Sequence, residues 1–145
     1  MKGKLVRRLF AVSLAAVMVA GGGAFGAGSI IGAVTTVNAA STSDGRYEYE
    51  VNDNGSITIT KYNGNDTKLT IPSKIDRKKV TSIGMGAFEF CDSLNSVTVP
   101  SSVTNIESWA FALCSELTSV TIPDSVKTIG NNAFWGCKGL ADKNG

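Results

Sequence analysis

A 23-residue period governs this chain from Val80 to Leu140. The stretches VTSIGMGAFEFCDSL from Val80, VTNIESWAFALCSEL from Val103 and VKTIGNNAFWGCKGL from Val126 superimpose without a gap. Repetition at this spacing predicts a solenoid, in which no coil buries its apolar side alone and each does so against its neighbours.

Within one period the residue types assign themselves. Val97-Thr98-Val99 is β-branched and alternating, which predicts a short strand with the valines inward and Thr98 outward. Pro100 lacks an amide donor and ends the pairing. Val103 and Ile106 then return to the interior, and Leu117 closes the repeat. Between them, Ala110, Phe111 and Cys114 sit on a segment read as about one or two short helical turns. Strands stacked about 4.8 Å apart place equivalent residues in ladders: Ala87, Ala110 and Ala133; Phe88, Phe111 and Phe134; Cys91, Cys114 and Cys137. Alanine before each phenylalanine lets the segment approach the sheet closely. Outside, Thr70, Thr98 and Thr121 form a hydroxyl strip.

Leu69-Thr70-Ile71-Pro72 matches Val97-Thr98-Val99-Pro100 and Val120-Thr121-Ile122-Pro123, so the array begins at residue 69. Its repeats are 69–94, 95–117 and 118–140 within a solenoid over 69–145, the last lacking a closing strand. The first holds a five-residue insertion after Pro72, which carries Arg77, Lys78 and Lys79 and predicts a charged surface loop. Ahead of the array, Tyr47, Tyr49 and Val51 alternate with Glu48 and Glu50. Asn54-Gly55 follows, then Ile57 and Ile59. This pattern predicts a β-hairpin that caps the open apolar end of the first repeat over residues 47–68.

The first 39 residues read differently. Lys2, Lys4, Arg7 and Arg8 precede the apolar run Leu9–Ala20, and small residues continue to Ala39, the order of a secretory signal peptide. An uncleaved membrane anchor is the alternative, since 9–37 carries no charge. Residues 40–46 are read as a linker. The whole chain has 14 Lys+Arg against 12 Asp+Glu. Removing the four leader cations leaves 10 against 12, a net of −2, so nucleic-acid binding has no electrostatic basis. Export to an extracellular or cell-surface location is the expectation, with membrane contact only through an uncleaved leader.

The chain has no histidine, which removes Ser-His and Cys-His nucleophile pairs and the commonest metal ligand. No catalytic residue, metal or cofactor is assigned, and the protein is read as a non-enzyme. The three cysteines recur at the repeat period and are read as buried structural thiols. A disulfide remains the alternative in an exported protein, although ladder geometry points the Cβ vectors parallel.

The block V-x-x-I-G-x-x-A-F-x-x-C-x-x-L-x-S-V-T-I-P resembles the BspA-like leucine-rich repeat, over roughly Leu69 to Leu140. The resemblance implies a leucine-rich-repeat α/β solenoid with a short-stranded parallel sheet. It also implies a bacterial surface or secreted protein that binds protein or glycan, some members acting in adhesion. Three positions depart from the pattern. Glu107 stands where Gly84 and Gly130 sit, so the backbone there needs no positive φ. Trp109 replaces Gly86 and Asn132, and Trp135 replaces Glu89 and Ala112. These tryptophans are the first candidates for binding, the alternative being that they cover a neighbouring repeat. Arg77, Lys78, Lys79, Thr98 and Thr121 are further candidates. The unfinished last repeat also offers an edge for self-association, and a structural role within a longer array is the competing reading.

Overall fold

The protein is described here by a computed structural model covering residues 39–141; apart from Ala39, the expected leader lies outside these residues. The 23-residue period winds into a β-solenoid. Each coil gives one strand to each of two parallel ladders. One ladder stacks β4 (Lys68–Thr70), β7 (Ser96–Thr98) and β9 (Ser119–Thr121). The other stacks β6 (Lys78–Ile83), β8 (Asn105–Ile106) and β10 (Thr128–Ile129). Registers follow the repeat: Thr70, Thr98 and Thr121 pair across the first ladder, and Ile83 pairs with Ile106 and Ile106 with Ile129 in the second.

The second ladder continues into the amino-terminal hairpin. β2 (Tyr47–Val51) and β3 (Ile57–Tyr62) pair antiparallel, and β3 then lies parallel to β6. Tyr47, Tyr49, Ile57, Ile59 and Tyr62 are buried, as the alternation requires. Part of the expected linker is also structured. Ala39–Ser41 forms β1 and pairs with Glu48–Glu50. Small polar composition suggested a tether, but any residue can add to the free edge of a hairpin through backbone bonds alone.

The core is one continuous column. The rings of Tyr47, Tyr62, Phe88, Phe111 and Phe134 stack in order, with successive centroids 5.3, 5.2, 4.8 and 5.2 Å apart. Ala87, Ala110 and Ala133 are buried beside them. The Phe88–Phe111 separation matches the strand spacing of about 4.8 Å.

That spacing overturns the expected helical turns. Packed α-helices need about 8–10 Å between axes, twice the rise from coil to coil. Residues 85–90, 108–113 and 131–136 therefore form linked turns, and the sole helix among the described residues is the four-residue α1 (Lys138–Ala141). The turns divide their amides. The N–H groups of Ala87 and Glu89 donate within the segment, to Gly84 (3.2 Å) and Gly86 (3.0 Å). The N–H groups of Phe88 and Phe90 donate to Ala110 (2.8 Å) and Ala112 (3.1 Å) of the next coil. The second coil repeats this, Phe111 donating to Ala133 and Leu113 to Trp135, both at 2.7 Å. A helix would spend every amide on itself.

Neither Gly84 nor Gly130 has a positive φ, in line with Glu107 at the same register. Close approach is what requires glycine. A Cβ on Gly84 would sit 2.8 Å from the Ile59 carbonyl oxygen, and one on Gly130 would sit 2.3 Å from the Ser108 nitrogen. Glu107 carries a side chain at the same register, and its carboxylate reaches back to accept the Met85 N–H at 3.1 Å.

All three tyrosines lie in the hairpin, and each is held above the usual phenol range. Burial pushes Tyr47 up to about 12. Burial, then the hydrogen bond to Asp76, takes Tyr49 up to about 12. Tyr62 is raised by burial. The unfolded chain releases these protons near pH 10, so their contribution is complete below that pH and lost as pH rises toward about 12. A spectrophotometric titration should show no tyrosinate near pH 10, with ionisation coinciding with unfolding of the hairpin. One tyrosine ionising at its ordinary pH would contradict this.

Candidate functional site

The sequence candidates fall in three separate places. The five-residue insertion is a β-hairpin where a loop was expected. β5 (Lys74–Ile75) pairs antiparallel with the start of β6, and Asp76 (φ 46°) and Arg77 (φ 66°) form the turn. Ile75 is buried and anchors it, while Tyr49 Oη donates to Asp76 Oδ2 at 2.5 Å and ties it to the amino-terminal hairpin. These contacts replace the expected bulge with a fixed element. Arg77, Lys78 and Lys79 are exposed, and Lys74 faces Lys79 across the pair. The hydroxyl strip lies on the other ladder, with Thr70 and Thr121 exposed and Thr98 half-buried. Tyr62 belongs to the core column, and its hydroxyl bonds to Asp66.

The cysteines are free. Cys114 Sγ donates to the Phe88 carbonyl and Cys137 Sγ to the Phe111 carbonyl, each at 3.0 Å and each reaching back one coil. The thiol is thus a small core group that satisfies a buried acceptor. The neighbouring Cys91 sulfur, and then burial, push the Cys114 thiol up; burial does the same to Cys137. The neighbouring Cys114 sulfur lowers half-buried Cys91.

Trp109 and Trp135 do come together. Their centroids are 5.5 Å apart in an edge-to-face arrangement, with Trp109 half-buried and Trp135 53% exposed. They sit on the linked turns at the carboxyl ends of β6, β8 and β10, across the strands from the basic hairpin at their amino ends. The turns reach this shape through two left-handed positions per coil. The first holds Gly86 (φ 63°), Trp109 (φ 62°) and Asn132 (φ 58°); the second holds Phe90 (φ 60°), Leu113 (φ 59°) and Gly136 (φ 74°).

Glycine adopts this conformation freely and asparagine with ease. A tryptophan, leucine or phenylalanine there costs about 1–2 kcal/mol. Phe90 is 64% exposed, so burial does not offset that cost. Leu113 leans over Gly136, where its Cδ2 would lie 2.8 Å from an added Cβ.

Phe90 and Leu113 were missed in the sequence because they match no ladder of identical residues. The Phe-Leu-Gly series at 90, 113 and 136 was the available signal, since glycine at one member marks a conformation shared by all three. Polar residues stand on the coils before and after Trp109. Exposed Glu89 extends its carboxylate over Gly86, and Asn131 and Asn132 are exposed on the following coil.

The family described as BspA type leucine rich repeat region matches residues 58–144, in six copies. Solved structures also resemble the chain. A leucine-rich-repeat protein of T. pallidum is 35% identical with a TM-score of 0.64, over 66% of this chain and 45% of that one. A leucine-rich cell surface protein of Faecalibacterium prausnitzii is 39% identical with a TM-score of 0.58, over 66% and 28%. A leucine-rich-repeat protein of Bacteroides ovatus is 32% identical with a TM-score of 0.59, over 66% and 27%. The chain thus spans less than half the length of each of these three. No curated protein sequence matches.

Proposed function

The chain belongs to the BspA-type leucine-rich-repeat family, and from that premise we propose an exported, non-enzymatic interaction module that binds a protein or glycan partner at the cell surface. The observation that carries this reading is the solvent-facing Trp109–Trp135 pair, since tryptophan is the residue most enriched where binding energy concentrates. The basic start and apolar core of the leader support export. The similarity to a leucine-rich cell surface protein supports the location.

The test is binding of the mature protein to arrays of matrix proteins and glycans. Trp135→Ala should weaken the captured interaction by about 2 kcal/mol, roughly thirtyfold. Its folding stability should fall by no more than the edge-to-face contact, about 0.5–1.5 kcal/mol. Binding that survives this substitution unchanged would move the site elsewhere.

A second reading, a stretch of a longer array with a purely structural role, is favoured by the third coil. Ile129 is 51% exposed where Ile83 and Ile106 are fully buried, and Ile122 is 38% exposed where Val99 is 3%. Among the described residues nothing covers this apolar end. Another coil in the same register would bury it, supplied by further chain or by a second copy. Analytical ultracentrifugation separates the two readings: a stable monomer that binds the arrays supports the first, whereas association abolished by Ile129→Lys supports the second.

A further inference from the structure

We infer that the turn face carries a neutral-glycan site built on Trp109 and Trp135, an inference that rests on the binding-module reading and gives its ligand a chemistry. The first support is backbone strain. The left-handed positions accept glycine or asparagine at Gly86, Asn132 and Gly136, yet Trp109, Leu113 and Phe90 occupy the other three. Large apolar residues held in an unfavourable conformation beside solvent mark a surface kept for contact. Core packing does not account for Phe90, which is mostly exposed.

The second support is rigidity. Trp109 N–H donates to Asn131 O at 3.1 Å, and Trp135 O accepts from Leu113 N–H at 2.7 Å. Both rings are therefore mounted on the coil-to-coil ladder and braced against each other. An aromatic fixed in this way offers a broad face and loses little conformational freedom on binding.

The third support is the polar frame. Glu89 lies on the coil before Trp109, and Asn131 and Asn132 lie on the coil after it, beside Trp135 in sequence. A carboxylate only accepts hydrogen bonds, whereas an amide both donates and accepts. Sugar hydroxyls need both kinds of partner, and the C–H face of a pyranose is a flat apolar surface suited to an indole. Sulfated, phosphorylated or uronate polymers would instead meet the Glu89 carboxylate, while the turns 85–90, 108–113 and 131–136 hold no lysine or arginine and Lys138 follows the last of them. The cations Arg77, Lys78 and Lys79 lie at the opposite ends of the strands.

The chain has two tryptophans, both in this site, so tryptophan emission, excited where tyrosine does not absorb, reports on it alone. The full protein is titrated with neutral hexasaccharides of glucose, mannose and N-acetylglucosamine, and separately with heparin and hyaluronan. A saturable emission change is expected with at least one neutral probe and with neither acidic polymer. Calorimetry should then show Trp135→Ala lowering affinity at least tenfold. Trp109→Asn places the residue type of position 132 at the same left-handed position. It should lower affinity at least tenfold while leaving the thermal midpoint unchanged or higher.

A Trp109→Asn protein that melts lower and binds neutral sugar normally would overturn the inference and make Trp109 a structural cover. Response to the acidic polymers alone, or to no glycan while Trp135-dependent protein binding persists, overturns the sugar chemistry but leaves the binding module intact. Failure to bind any protein or glycan sinks both.

Discussion

Phe111→Ala is expected to remove about 3–5 kcal/mol of folding stability, the usual range for deleting a fully buried phenylalanine. Phe111 has no solvent exposure and stands between Phe88 and Phe134, with interplanar angles of 15° and 3° to them. Its removal opens a cavity at the centre of the column that links the hairpin to the last coil. The neighbouring rings cannot close the gap, because the backbone ladders hold the coils at their spacing. A domain of this size has about 5–15 kcal/mol in total, so the loss is a large share. Phe134→Ala should cost less, since Phe134 is only half-buried on the open coil. Urea denaturation of both variants checks the pair. Equal losses, or a loss below about 1.5 kcal/mol for Phe111, would show that the column is not the core.

The second large effect is expected from a single methyl group. Gly130→Ala would place a Cβ 2.3 Å from Ser108 N, 2.7 Å from Glu107 C and 2.9 Å from Ser108 Cα. All three are backbone atoms, so no side chain can turn aside. The φ of Gly130 is not left-handed, and the penalty is therefore steric. Relief requires the third coil to lift from the second, weakening the bond from Gly130 N–H to Ile106 O and the pairing of β10 with β8. Overpacking of this kind costs about 1–3 kcal/mol. Hydrogen exchange should accelerate over 126–137 while the hairpin and the first coil stay protected. Asn131→Ala, at an exposed neighbouring position, should change stability by less than about 0.5 kcal/mol. Uniform loss of protection across the whole chain would contradict this local account.

Much of this architecture could be read in the residues because the ladders are written as identities. Alanine, phenylalanine and cysteine recur at one spacing, and the valine-threonine alternation gives the strand faces directly. The turn segments misled for a physical reason. Alanine, phenylalanine and a cysteine three residues later also fit one face of a helix, and only the distance between coils forbids it. That distance belongs to the assembled stack and to no single segment. The basic insertion misled in a similar way, because Asp76-Arg77 lacks the glycine that usually marks a two-residue turn. Of the site, the tryptophans stood out because they break a ladder. Phe90 and Leu113 did not, since what sets them apart is a backbone angle.

The division of amides in the turns bears on how such a chain can change over generations. The bonds that Phe88, Phe90, Phe111 and Leu113 make to the next coil run from backbone to backbone, so the outward side chains of these turns carry none of those links. Gly86, Trp109 and Asn132 already show three unrelated side chains on one conformation. A point mutation at these places can therefore rewrite the chemistry facing solvent while the stack beneath keeps its register. Surface chemistry can drift quickly on a frame that barely moves.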